Sequence, residues 1–288
     1  MDTAAPSDEF ARREALAASA KIVRDRCRLR PQAAIILGSG LGGLADAIEH
    51  PAIVAFADLP ALPPTTAAGH AGRLILGYLN GLPVAVFAGR SHLYEGHAVR
   101  GATASVRLAD ALGADLLIAS NAAGGLNPRL AVGQVVAIDS HIDLFFRRQS
   151  STPDDPLPPQ GSVRRGAVTP YDGRLISQCE SIAVSLGFSL PRGTYLGTLG
   201  PTYETRGEYR AFRTLGADMV GMSTVAEMLQ ASRLGMRTLA FSVITNAANP
   251  DRPAATTHEE VLDVAAVAQG RLLPLLRRLC GSLAGPPD

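Results

Sequence analysis

The stretch at residues 35–44 constrains the fold more than any other. Ile-Ile-Leu-Gly-Ser-Gly-Leu-Gly-Gly-Leu is a short apolar run that ends in glycines and leads into Leu44-Ala45-Asp46-Ala47-Ile48, whose spacing predicts a helix. A buried strand that turns on glycine into a helix is a building unit of α/β sheets, and it gathers backbone N–H groups and the Ser39 hydroxyl at the strand's carboxyl end. Such a pocket suits an anion. Gly38, Gly40 and Gly43 also fit the G-x-G-x-x-G spacing of dinucleotide binders, with Asp58 falling about 20 residues on, where a ribose-binding acid belongs. A plain strand-to-helix turn uses the same glycines.

The rest of the chain alternates. Helix is expected over 10–27, where Leu16, Ala20 and Val23 recur at helical spacing and Ser7 or Asp8 is placed to cap the start. Two apolar runs, 73–79 and 82–88, flank Asn80-Gly81, a strong hairpin signal, so the sheet holds an antiparallel pair. Further helices are expected over 98–112, 171–186, 206–215, 224–234 and 257–279, and strands over 115–120, 135–138, 194–199 and 238–244. Residues 150–160, rich in Ser, Pro and Asp, read as a loop. With no linker and no internal repeat, the expectation is a single α/β domain spanning 1–288, a mixed β-sheet flanked by helices on both faces, frayed at 1–8 and 284–288.

Charge and cysteine usage narrow the partners. A formal net charge of +1 offers no attraction for nucleic acid or an anionic membrane, so a small-molecule ligand is expected. Cys27, Cys179 and Cys280 have neither C-x-x-C spacing nor an even count, which argues for a reducing compartment and against a disulfide frame or thiolate metal site. The histidines lack zinc spacing, so no metal is expected. Acids stand near the N-terminus where a secretory signal carries base, and no apolar run reaches the ~18 residues of a spanning helix, so the expected location is cytoplasmic.

Ligands of open α/β sheets gather at the strands' carboxyl ends, and the polar residues of this chain cluster there. The segments in question are Gly89-Arg90-Ser91-His92-Leu93-Tyr94-Glu95-Gly96-His97, Asn121-Ala122-Ala123-Gly124-Gly125, Gly200-Pro201-Thr202-Tyr203-Glu204-Thr205, Asp218 through Thr224, and Thr245-Asn246. Singly, each has an ordinary reading. Arg90 suits a surface ion pair, Glu204 the acid of a capped helix, Ser223 or Thr224 a helix N-cap, and Val220 and Met222 the core.

Together these segments, with Gly69-His70-Ala71-Gly72 and His258-Glu259-Glu260-Val261, resemble the trimeric purine nucleoside phosphorylases that act on 6-oxopurines. The resemblance implies phosphate held by Ser39, His70, Arg90, His92, Ser223 and the Ala122 N–H; ribose packed by Tyr94 and Met222 with His258 on the 5'-hydroxyl; and purine bounded by Asn121, Ala122, Tyr203 and Val220. It gives Glu204 the purine N1–H, Asn246 the N7 or O6, and Thr245 the setting of the Asn246 amide, with Asn246, Glu204 and His92 as the catalytic groups. It further implies a homotrimer in purine salvage that needs no cofactor, with inorganic phosphate as co-substrate and no nucleic-acid or membrane partner. Methylthioadenosine phosphorylases share the phosphate and asparagine loops but generally carry aspartates where this chain has Asn246, and lack a histidine at the place of His258. An NAD-linked dehydrogenase would rest on the three glycines and Asp58 alone, and a non-catalytic nucleoside-binding protein is the third alternative. One segment departs from the family: 161–170 lacks the Arg-Phe-Pro aromatic that reaches a neighbouring subunit's ribose site, for which Phe145 or Phe146 is the nearest substitute.

Overall fold

A computed structural model describes residues 6–63, 71–145, 169–251 and 257–284, the side chains of 6–9 and of His258 excepted. In chain order the elements are α1 (Pro6–Arg26), β1 (Ala33–Ile36), β2 (Glu49–Ala55), β3 (Arg73–Leu79), β4 (Leu82–Ala88), α2 (Val99–Ala102), α3 (Ala104–Leu112), β5 (Leu116–Gly125), β6 (Val135–Asp143), α4 (Gly173–Ser185), β7 (Arg192–Gly197), α5 (Arg206–Thr214), β8 (Met219–Gly221), α6 (Val225–Arg233), β9 (Arg237–Ala247) and α7 (His258–Leu283).

The strands form one mixed sheet in the order β2-β3-β4-β1-β5-β8-β7-β6-β9, and β9 also pairs with β5. That additional ladder joins β5, β8, β7, β6 and β9 into a closed ring, from which β1, β4, β3 and β2 extend as an open wing. β4, β1, β5 and β9 run parallel, so the loops after β1 and β4 and the far ends of β5 and β9 meet at one edge. Their interior is a near-continuous apolar run, as strands covered on both faces require: every residue of β1 is buried, as are Leu116 to Asn121 of β5. α7 packs against β3, β4, β6 and β9 with α4 beside it, while α3 and α6 lie together on β1 and β9 with α1 against α3.

The hairpin forms as expected, with Asn80 and Gly81 both at positive φ, 51° and 84°. Other expectations shift. α1 begins at Pro6, so Ser7 and Asp8 lie in its first turn rather than capping it. The segment after the glycine loop is a 3-10 helix, Gly42–Ala47, not an α-helix. The helix expected over 98–112 breaks at Thr103, whose hydroxyl turns back to the Val99 carbonyl. β2 and β8 had no sequence signal, and β2 is an irregular edge: it holds Pro51, and its register shifts between Glu49 and Ala52. β5, β6 and β9 outrun the strands predicted, so Asn121 to Gly125 and Thr245-Asn246 are strand rather than loop. The loop expected over 150–160 lies outside the described residues. Among the described residues no helix is long and apolar enough to cross a membrane.

Candidate active site

The glycine loop owes its path to a close approach. A Cβ on Gly38 would stand 2.6 Å from the Ser120 carbonyl oxygen and 2.8 Å from the Asn121 Cα, both backbone, so only glycine lets β1 run on beside β5. Ser39, the next residue, lines a cavity at the edge of the sheet, together with Arg90, His92 and Tyr94 from the loop after β4 and Asn121 to Gly124 from β5. Tyr203, Glu204 and Tyr209 from the β7–α5 region, Val220 to Ser223 from β8 and beyond, Thr245 and Asn246 from β9, and Val261 of α7 complete it. Every expected site residue whose side chain is described is therefore in one cavity. His70 and Phe146 lie outside the described residues. His258 is the first residue of α7, close in sequence to the cavity-lining Val261, and its side chain lies outside the description.

The anion side is built on buried polar groups. Arg90, 4% exposed, sends Nε and Nη2 to the two carboxylate oxygens of Glu227 at 2.8 and 2.9 Å, and Nη1 to the Ser120 carbonyl at 3.0 Å. Its Nη1 stands 3.4 Å from Ser223 Oγ. The guanidinium thus does not face the cavity with its whole fork. His92 is held by Glu95, which accepts from the His92 backbone N–H at 2.7 Å and from Nδ1 at 2.9 Å, and its ring stacks on Tyr94 with centroids 4.7 Å apart. Burial pushes the His92 imidazole below its usual 6.5, the Arg90 charge adds to that, and Glu95 opposes both.

Ser223 is aimed by a tight turn. Thr224 has φ 71° and ψ −50°, and the Val225 N–H reaches back to the Ser223 carbonyl at 2.8 Å, a γ-turn with positive φ that is strained for a β-branched residue. Side chains hold it there: Asn121 donates Nδ2 to Thr224 Oγ1 at 2.9 Å, and Ser242 donates to Asn121 Oδ1 at 2.8 Å. Thr224 precedes α6, but its hydroxyl makes no cap bond to the helix, so the N-cap reading of that residue fails. Asn121 lines the cavity and is 1% exposed, with both ends of its amide engaged, so its side chain also props the turn.

On the opposite side, the helix expected to claim Glu204 does not. Thr205 caps α5 in a capping box with Glu208, leaving Glu204 outside and over the cavity. Thr198 donates to Glu204 Oε1 at 3.1 Å and Tyr209 donates to the same carboxyl. Burial raises the Glu204 carboxyl above its ordinary 4.5 and pushes the Tyr209 phenol up to about 12. Asn246 is placed by a bulge: Ala123 pairs with Ile244 and Gly124 with Asn246, so Thr245 is an extra residue on β9 and the side chains beyond it are re-aimed. Thr245 Oγ1 stands 3.4 Å from both the Ala123 carbonyl and Asn246 Oδ1, which orients the amide with its nitrogen away from that contact.

Sequence reasoning missed Glu227, Glu95, Thr198 and Tyr209. Glu95 directly follows the expected Tyr94 and Tyr209 lies five residues beyond Glu204, whereas Glu227, on a helix, carries no signal. Two expectations fall. Asp58 is exposed and lines no part of the cavity, and the turn after the glycines is 3-10, so the dinucleotide reading loses both its acid and its α-helix. Phe145 is 5% exposed and packed in the core over Gly197 of its own chain, so it does not replace the missing aromatic.

Comparison with known proteins agrees with this fold. Residues 32–280 match the family model of the phosphorylase superfamily. The chain is 38% identical to purine nucleoside phosphorylase 1 of Bacillus subtilis over 91% of this chain and 96% of that one. It is equally 38% identical to the purine nucleoside phosphorylase of Rattus norvegicus, over 93% and 94%. Among solved structures, the Schistosoma mansoni purine nucleoside phosphorylase in complex with inosine superimposes with a TM-score of 0.83 at 30% identity, covering 96% of this chain and 98% of that one. The same enzyme in complex with adenosine fits equally, with a TM-score of 0.83.

Proposed function

The chain belongs to the purine nucleoside phosphorylases of the phosphorylase superfamily, and from that premise we propose that it catalyses the reversible phosphorolysis of guanosine, inosine and their deoxy forms to free purine and α-(deoxy)ribose 1-phosphate. The observation that supports this most directly is that Asn246 and Glu204 share one cavity with Arg90, His92, Ser39 and Ser223. One end offers hydrogen-bond donors and a cation to an anion; the other offers an amide and a carboxylate to a base.

Phosphate would lie against Ser39, Arg90, His92, Ser223 and the Ala122 N–H, with ribose between Tyr94 and Met222. A phosphate oxygen attacks the anomeric carbon as the bond to the purine N9 breaks, and the bonding pair leaves with the base. The transition state has oxocarbenium-like ribose, by analogy with glycoside hydrolysis, and the attack inverts the anomeric configuration. Negative charge grows on the purine, and the Asn246 amide nitrogen donates to it at N7; a single preorganised donor of that kind is worth roughly 3 kcal/mol. An ionised Glu204 accepts from the N1–H of a 6-oxopurine, whereas N1 of adenine is a bare lone pair and opposes acceptor to acceptor. The amide at Asn246, rather than a carboxylate, separates this site from the methylthioadenosine enzymes. On the resemblance we read the protein as a cytoplasmic homotrimer of purine salvage that uses phosphate as co-substrate and neither metal nor cofactor.

The test is release of free base from inosine or guanosine with and without phosphate. Turnover should require phosphate and survive a chelator, and Asn246→Ala should lower kcat by about a hundredfold with little loss of folding stability. Because a relative has been crystallised with adenosine, discrimination is to be read in kcat/KM; adenosine cleaved as fast as inosine overturns the roles given to Glu204 and Asn246.

A further inference from the structure

Arg90 borders the anion end of the cavity, yet most of its donors point elsewhere. A guanidinium has five N–H groups. Glu227 takes one on Nε and one on Nη2, at 2.8 and 2.9 Å, and the Ser120 carbonyl takes one on Nη1. Nη1 also donates to Ser223 Oγ at 3.4 Å, a long bond, and one N–H remains on Nη2. The pair is nearly sealed, its side chains 3% and 4% exposed. Glu227 is the third residue of α6, at the end where the helix dipole favours a carboxylate, and it does not line the cavity that holds Asn246 and Glu204.

A buried ion pair of this kind adds little stability over a well-packed apolar substitute, since desolvation offsets the attraction. What it does supply is geometry. We propose that Glu227 is a positioning residue for the oxyanion of this site: it clamps the Nε–Nη2 edge of Arg90, fixing the plane and depth of the guanidinium so that its outer Nη2 N–H and the Ser223 hydroxyl held by Nη1 meet one face of phosphate. The carboxylate also balances the Arg90 charge, so phosphate is recognised by directed hydrogen bonds more than by bulk attraction. This rests on the cavity being a phosphate site.

Steady-state kinetics on the full chain, with inosine and phosphate varied separately, compare wild type with Glu227→Gln, which keeps the shape but loses one acceptor, and Glu227→Asp, which keeps the charge but shortens the reach. Both variants should raise the phosphate KM about tenfold or more while leaving the inosine KM at saturating phosphate within about twofold. In thermal melts, the upshift caused by inorganic phosphate should shrink while the upshift caused by hypoxanthine persists. If Glu227→Gln does not fold, Glu227→Asp makes the same comparison. An unchanged phosphate KM, a parallel rise in both KM values, or a wild-type phosphate KM in Glu227→Asp overturns the positioning role. Wild-type cleavage that is indifferent to phosphate overturns the reading of the site itself, a separate outcome.

Discussion

His92 answers to opposing neighbours. Burial and the Arg90 guanidinium hold its imidazole below the ordinary 6.5, and the Glu95 carboxylate only partly offsets them. The sign of the linkage follows: the stability this residue contributes is present in full above pH 6.5 and is lost as the pH falls through its lowered folded value, because the unfolded chain takes up the proton first. Denaturant titrations at pH 7.5 and 5.5 should show the wild type weakening on acidification, and His92→Asn should show a smaller change between the two. Glu204 leans the other way. Burial favours its neutral form, so near-neutral pH serves N1–H recognition better than acid, and Tyr209, with its phenol pushed up to about 12, keeps a proton to donate throughout that range.

At the level of elements, the site depends on how closely β1 and β5 approach. Gly38→Ala would drive a methyl group into the backbone of Ser120 and Asn121, with no side-chain end to give way. It should cost about 1–3 kcal/mol of unfolding free energy in denaturant titrations and raise the phosphate KM by displacing Ser39. The hairpin was legible because Asn80-Gly81 carries its own turn chemistry, and the buried strands because their apolar runs are unbroken. The extensions of β5 and β9 were not: Asn121, Gly124, Gly125 and Asn246 are poor strand formers by propensity, and what keeps them extended is the ladder each strand finds in the other. The bulge at Thr245 and the γ-turn at Thr224 are likewise products of tertiary contacts that no local pattern announces. The motif residues were nonetheless found, since they stand in short runs of unusual composition, whereas Glu227 is one acid on an amphipathic helix and is distinguished only by the arginine it meets.

Across the whole molecule, α4 and α7 meet and each brings a cysteine to the core. Cys179 and Cys280 are both fully buried, and burial pushes each thiol up to about 12, so neither offers a thiolate at neutral pH. Cys27 is partly exposed. Titration with a thiol reagent should find one reactive group in the native protein and all three after denaturation. The ring of five strands leaves the sheet a single outer margin among the described residues, at β2. An unpaired margin is where a foreign strand adds on and aggregation begins, but Pro51 offers no N–H there and the kink between Glu49 and Ala52 spoils the spacing a newcomer would copy. The irregularity of β2 therefore makes that margin a poor template for edge-to-edge growth.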